Sequence, residues 1–538
     1  MDRRLICVFC SFCLMGVLLF LRVGSLSAGG ALAQTAQEQS TYSLTFDKTR
    51  GQIYDCRMLP LVGEKTHYLA ACMPTPENSN DLLHCSALKS SAGMEKMLEN
   101  GRPFLAVCTD PGLDIPGVTV CPVTDRYSSA QLAQHVIGYL DSSGNGVTGI
   151  EKAYDEFLTE TSAQSVISYQ VDGLRMPLSG SRPAIRYAPV QTRGVVLTID
   201  SRIQKVVEEV GNRMLKKGAV VVMEPSTGKI RAVASFPGYQ VDGLSRAVKD
   251  QENSPMLNRA FCAYNVGSTF KIVTAAEALS EGFSPSTEFF CFGKTEVLDQ
   301  TFQCHKKTGH GLLNLRTAMM GSCNPYFIQL GVKLNRERFV SMADALSFGH
   351  AGVFADGVST AKGYLPTAGE LFSPAALGNF SFGQGSLMAT PVQLAQMVSA
   401  VVNDGWTPAA SLVEGITYGG KLVEEEKLTL SPIQAMESRI AETIRNYLVD
   451  CVMVEENQNA KPRYVTAGGK TGTAQTGQIR DDGEELLQGW FAGFFPADKP
   501  QYVVVVLAEN AQSGNQDASP VFREIADALN KPLTLGQD

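Results

Sequence analysis

The first residues with chemical promise are Gly267-Ser268-Thr269-Phe270-Lys271, followed by the apolar-periodic run Ile272 to Leu279. That run predicts a buried helix, and Gly282 is a stop signal for it. Ser268 and Lys271 are three residues apart, so on a helix they share a face. A serine hydroxyl is a poor nucleophile at neutral pH and needs a base. A lysine stripped of water near another cation can serve as one. The chain has six histidines and none lies near Ser268, which points away from a Ser-His-Asp arrangement.

Ser-x-x-Lys also occurs at Ser86-Lys89, Ser226-Lys229 and Ser359-Lys362. Ser226 lies in a turn between two predicted strands, Ser359 in a Gly-rich stretch, and Ser86 in a polar segment. Only Ser268 opens a buried helix.

Two further motifs lie downstream. Ser322-Cys323-Asn324 falls between a helix over Leu313 to Met320 and one starting near Pro325, and Lys470-Thr471-Gly472-Thr473 lies on an apolar strand. Ser143-Gly144-Asn145 and Ser513-Gly514-Asn515 imitate the first, and Lys307-Thr308-Gly309 imitates the second, but each lacks that context.

The elements that must position these motifs are legible in outline. A helix is predicted from Ser201 to about Lys217. Strands follow at Ala219 to Met223 and Lys229 to Ser235, joined by the Pro225-Ser226-Thr227-Gly228 turn. A helix-rich middle runs from Ser268 to about Val454. Three strands come next, Tyr464 to Gln475, Gly489 to Phe495 and Gln501 to Glu509, then a closing helix from Pro520 to Asn530. Strands at both ends of a helical segment imply an α+β fold with a five-stranded antiparallel sheet flanked by helices. The domains expected are an anchor over 1–27, a linker over 28–41, a mixed α/β module over 42–190 and a catalytic domain over 191–538.

The chain has 538 residues and a net charge of -8, with no basic cluster, so nucleic acid is not the expected partner. Arg3 and Arg4 precede an uncharged run from Leu5 to Leu21. A retained single-pass anchor with the bulk of the chain outside the cytoplasm is expected; the competing reading is a signal cleaved near Ala31-Leu32-Ala33. The chain has thirteen cysteines. In an extracytoplasmic protein they point to a reducing habitat or metal binding as much as to disulfides.

The three motifs in this order resemble those of class B penicillin-binding proteins, the membrane-anchored transpeptidases that cross-link peptidoglycan. The likeness runs from the Arg50-Gly51 box to the closing helix. It includes Phe382-Gly383-Gln384-Gly385, Ala389-Thr390-Pro391 and Gly489-Trp490-Phe491-Ala492-Gly493-Phe494. With no room for a glycosyltransferase domain ahead of the 42–190 pedestal (dimerisation-like) module, class A is not expected; no extra domain is expected after Asn530.

The resemblance implies a role for each motif residue. Ser268 attacks the carbonyl between the terminal D-alanines of a stem peptide, and Lys271 takes its proton. Ser322 relays a proton to the leaving D-alanine, and Asn324 binds the substrate amide. Lys470, Thr471 and Thr473 hold the substrate carboxylate, Gly472 leaves room for substrate to pair with the strand edge, and the backbone N–H groups of Ser268 and Thr473 form an oxyanion hole. No catalytic cofactor is implied. Stem peptides, β-lactams and a polytopic membrane glycosyltransferase that polymerises lipid II are the implied partners.

Three other readings share the fold. A β-lactamase is disfavoured, because no Glu-x-x-Leu-Asn string is present and Ser322-Cys323-Asn324 stands where class D enzymes have Ser-x-Val. A D,D-carboxypeptidase is disfavoured by the large pedestal, and a non-catalytic scaffold or β-lactam sensor by the intact Ser268, Lys271 and Lys470.

One pattern lies outside this chemistry. Cys291, Cys304, His310 and Cys323 form a set that suits structural zinc. The Gly309-His310-Gly311 box resembles that of elongation-type relatives that hold a metal in this segment. A Cys291–Cys304 disulfide and free buried thiols are the alternatives.

Overall fold

The computed structural model describes residues 3–28, 40–89, 93–174, 176–178, 180–298, 300–424, 431–454, 459–479 and 483–532. Helix α1 (Arg3–Ala28) is long and apolar enough to cross a membrane. The chain divides into two compact units.

The smaller unit comprises residues up to Arg50, Gly63–Arg126 and Thr161–Gln191. It holds a four-stranded antiparallel sheet, in which Lys65–Cys72 lies between Phe104–Cys108 and Val118–Asp125, and a three-stranded sheet centred on Gln164–Gln170.

The larger unit comprises Gly51–Val62, Tyr127–Glu160 and the chain from Thr192 onward. The first two stretches fall within the module that the sequence set at 42–190. Gln52–Tyr54 pairs in parallel with Gly194–Leu197, and the Gly51 N–H donates to the Leu158 carbonyl at 2.8 Å. A Cβ at Gly51 would stand 2.8 Å from Leu158 Cδ2, which gives the Arg50-Gly51 box a packing reason.

In chain order the main elements of this unit are α2 (Ser201–Met214), β1 (Gly218–Met223), β2 (Ile230–Phe236), α3 (Lys271–Ser280), α4 (Leu315–Met320), α5 (Asn324–Gly331), α6 (Pro391–Val402), α7 (Ser438–Met453), β3 (Gly468–Ile479), β4 (Glu485–Phe495), β5 (Tyr502–Ala511) and α8 (Ser519–Asn530). The sheet order is β2-β1-β5-β4-β3, antiparallel at each pairing, as expected from strands at both ends of the domain. Strand β3 starts four residues later than the sequence pattern suggested. The Arg463 and Tyr464 N–H groups donate instead to Asp527 Oδ1 on α8, which diverts that segment from the sheet.

Both faces of the sheet are buried, so its central strands read as continuous apolar runs. Ala219, Val221 and Met223 of β1 join Val503, Val505 and Leu507 of β5 in the core that includes α3 and α6. Val220, Val222, Val504 and Val506 pack in a second core with Val207 of α2 and Phe522 and Ile525 of α8. Helix α6 begins with a capping box: the Gln393 N–H donates to Thr390 Oγ1, and Gln393 Oε1 accepts from the Thr390 N–H, with Pro391 in the first turn. The Ala389-Thr390-Pro391 box is therefore a helix start.

Candidate active site

Ser268 lies in a short 3₁₀ turn, Gly267–Phe270, that runs directly into α3 at Lys271. In a 3₁₀ turn residues three apart eclipse, so the serine and lysine project to the same side. The turn is held from two directions. The Gly267 N–H donates to the Gly383 carbonyl at 2.8 Å, and Thr274 Oγ1 of α3 donates to the Ser381 carbonyl at 2.7 Å. Gly383 has φ 78°, and a Cβ there would stand 2.0 Å from Gly267 O. The Phe382-Gly383-Gln384-Gly385 box thus supports the nucleophile turn.

The second motif links α4 to α5. Ser322 adopts φ 48°, a conformation uncommon outside glycine, asparagine and aspartate. Lys271 is wholly buried, and its Nζ donates to the Ser322 carbonyl at 2.7 Å, to Ser322 Oγ at 3.2 Å and to Asn324 Oδ1 at 2.6 Å. Burial, and then the Lys470 charge, push the Lys271 pKa well below the ordinary lysine value. Among the described residues, Ser268 Oγ makes no hydrogen bond.

The third motif lies on β3, the edge strand beside the nucleophile turn. Lys470 Nζ donates to Ser322 Oγ at 3.0 Å. Thr471 and Thr473 share a cavity of about 730 Å³ with Ser268, Ser322 and Asn324. Gly472 also has a packing use: a Cβ there would stand 3.0 Å from Thr269 Cγ2, 3.1 Å from Val266 O and 3.2 Å from Trp490 Cβ. The glycine lets the edge strand approach the nucleophile turn closely. Trp490, from the Gly489-Trp490 box, donates its indole N–H to Asn265 O at 2.8 Å on the other side of that turn.

The structure therefore brings Ser268, Lys271, Ser322, Asn324, Lys470, Thr471 and Thr473 to one site. It also adds residues that sequence reasoning set aside. Ser513 and Asn515 line the cavity, and the Gly514 N–H donates to Thr473 Oγ1 at 3.1 Å. A Cβ at Gly514 would stand 2.2 Å from Gly472 O, so this glycine is part of the support for the third motif. Its place directly after the last strand was the available signal. His305 and Lys306, just ahead of Lys307-Thr308-Gly309, line the same cavity.

Cys291, Cys304, His310 and Cys323 converge, with their donor atoms all within 4.8 Å of one another. His310 Nδ1 lies 3.4 Å from Cys304 Sγ and 3.7 Å from Cys291 Sγ. Tetrahedral zinc with Zn–S of about 2.3 Å and Zn–N of about 2.0 Å requires N···S edges of about 3.5 Å. The two N···S edges match that value. Cys291 and Cys304 are free thiols, not a disulfide.

Comparison with known proteins agrees with this architecture. Residues 218–527 match the family described as the penicillin binding protein transpeptidase domain. Stage V sporulation protein D of Bacillus subtilis is 29% identical over 95% of this chain and 83% of its own length. The peptidoglycan D,D-transpeptidase PbpA of Mycolicibacterium smegmatis is 29% identical over 75% of this chain and 84% of its own. Among solved structures, a D,D-transpeptidase domain from Eggerthella lenta superposes with a TM-score of 0.63 at 25% identity, covering 90% of this chain and 99% of that one. The Helicobacter pylori penicillin-binding protein PBP2, solved in complex with MreC, has the same fold, with a TM-score of 0.64 at 20% identity over 91% of this chain and 98% of that one. The chain belongs to the penicillin-binding protein transpeptidase family. Within that family it is a class B member, an enzyme of the serine acyl-transfer type.

Proposed function

We propose that this chain cross-links peptidoglycan as a D,D-transpeptidase, with Ser268 as nucleophile. The observation that carries the residue assignment is the sharing of Ser322 Oγ by Lys271 Nζ and Lys470 Nζ, in a cavity that also exposes Ser268. Burial and the Lys470 charge hold the Lys271 pKa well below the ordinary lysine value, and in its neutral form Lys271 has a free lone pair. To take the Ser268 proton, its Nζ exchanges one of its partners on the second motif for Ser268 Oγ. The nucleophile then attacks the carbonyl between the two terminal D-alanines, while the Ser268 and Thr473 backbone N–H groups stabilise the oxyanion, a contribution of about 3 kcal/mol per donor. Lys470, Thr471 and Thr473 hold the terminal carboxylate, and Asn324 holds the substrate amide. Ser322, bonded to both lysines, passes a proton to the departing D-alanine. The amine of a second stem peptide then attacks the acyl-enzyme, expelling Ser268 and forming the cross-link. A β-lactam enters as a mimic of the D-Ala-D-Ala end and leaves Ser268 acylated.

Around this chemistry, α1 is a single-pass membrane anchor with the catalytic unit outside the cytoplasm, the 42–190 segment is a pedestal, and 191–538 carries the catalysis. The partner is a polytopic membrane glycosyltransferase that polymerises lipid II; the Helicobacter pylori relative, solved in complex with MreC, supports assembly of this fold with a protein partner. No cofactor enters the reaction. A structural zinc held by Cys291, Cys304, His310 and Cys323 ties the second motif to the loop before it, because Cys323 separates Ser322 from Asn324. Labelling with a fluorescent penicillin, followed by assays of cross-linking against hydrolysis, tests the reading. Labelling with hydrolysis alone would make it a carboxypeptidase or β-lactamase, and no labelling would make it a scaffold.

A further inference from the structure

The turn Cys304–Gly309 presents His305 and Lys306 to the catalytic cavity. Its position is fixed by backbone packed against backbone. Gly293 (φ 87°) and Gly309 (φ 79°) interlock: a Cβ on the first would stand 2.0 Å from Lys307 O, and one on the second 2.2 Å from Cys291 O. The Cys304 N–H donates to Gly293 O at 2.8 Å, and the Gly309 N–H to Lys306 O at 2.9 Å. Lys306 is therefore presented from a braced turn rather than from a free loop.

The charge balance of the cavity is one-sided. Among the described residues no acidic side chain lines it, although the chain as a whole carries a net charge of -8. Lys306 is exposed and, among the described residues, forms no ion pair with an acidic side chain. A lysine braced at a substrate cavity without an internal counter-charge is suited to an anionic group on the ligand. Under the proposed function, on which this inference rests, the terminal carboxylate of the stem peptide is already held by Lys470, Thr471 and Thr473. Lys306 is then open to a different anion. Ahead of D-Ala-D-Ala a stem peptide carries a diamino acid. Lysine ends in an amine alone, whereas diaminopimelate carries a carboxylate beside its amine.

We propose that Lys306 pairs with the side-chain carboxylate of the diamino acid in the donor stem peptide, and so selects donors of the diaminopimelate type with that carboxylate free. The test uses the full-length chain in detergent and two synthetic donors ending in D-Ala-D-Ala. The donors are identical except that the diaminopimelate side-chain carboxylate is free in one and amidated in the other. Release of D-alanine gives kcat/KM for each, and fluorescent penicillin reports in parallel whether Ser268 is reactive. A charge-assisted pair predicts a preference of about tenfold for the free carboxylate. Lys306→Gln should bring the ratio close to unity, Lys306→Arg should keep it, and Lys307→Gln, on the neighbouring residue that does not line the cavity, should leave it unchanged. Equal kcat/KM values for the wild type, or a preference that survives Lys306→Gln, would overturn the inference while leaving the transpeptidase reading intact. Turnover of neither donor with Ser268 still labelled would also count against it. Failure of penicillin to label Ser268 at all would overturn the proposed function and this inference together.

Discussion

Lys271 and Lys470 donate to the same atom, Ser322 Oγ, at 3.2 and 3.0 Å. Two ammonium groups on one hydroxyl oxygen in a buried site repel each other strongly, and the arrangement is relieved when one of them gives up its proton. The pKa of the wholly buried Lys271 is pushed well below the ordinary lysine value, by burial first and then by the Lys470 charge. Ser322 is held at this junction in a left-handed backbone conformation, so local strain coincides with the chemistry.

The first prediction is the pH dependence of acylation. The folded-state pKa of Lys271 is depressed. Its active, neutral form is therefore gained as pH rises through that value, below the ordinary lysine pKa of about 10.4. The linked folding penalty is absent above the unfolded pKa and grows as pH falls toward the folded one. Penicillin acylation rates measured against pH should show a rising limb centred below 10.4. Lys470→Gln should move that limb to higher pH, because the second-largest cause of the depression is removed. An unmoved limb would separate Lys470 from the tuning of Lys271.

Lys271→Arg tests the base itself. Guanidinium keeps the positive charge but does not deprotonate at neutral pH. Acylation should fall by about 10²–10⁴-fold, the usual contribution of a general base. Stopped-flow acylation rates, with circular dichroism to confirm folding, check this; a folded variant with near-normal rates would remove Lys271 from the role.

Gly383→Ala probes the support of the nucleophile turn. The new Cβ would meet Gly267 O at 2.0 Å and force a strained positive φ. Thermal unfolding should show a loss of about 1–3 kcal/mol or more, with slower acylation. Wild-type values of both would show that the turn does not depend on this contact.

For the thiol and histidine cluster, protein purified without added metal should contain about one equivalent of zinc per chain by elemental analysis. Cys304→Ser or chelation should lower both the melting temperature and the acylation rate. A metal-free protein of full stability and activity would exclude the ion.

Much of this site was legible because each motif residue lies at the start of an element or on a strand whose sequence signals are local. Ser268 precedes an apolar helix, Ser322 falls between two helices, and Lys470 enters an apolar strand. What could not be read depends on contacts distant in sequence. Gln52–Tyr54 joins a sheet through Gly194–Leu197, and its own three residues carry no signal of that pairing. The smallness of Gly472 serves Thr269 and Trp490, and Gly514 approaches Gly472 O across a loop, so neither reason is local. The cysteine and histidine set could be named from ligand chemistry, but its convergence within 4.8 Å is a property of the fold.

Whether Ser268 is the nucleophile is decided by where penicillin becomes attached. The full-length chain is incubated with penicillin, intact mass is recorded, and the adduct is mapped by peptide sequencing. A single penicilloyl group on Ser268 is expected, abolished in Ser268→Ala and unaffected in Ser86→Ala, Ser226→Ala and Ser359→Ala. An adduct on any other residue, or undiminished acylation of Ser268→Ala, would contradict it.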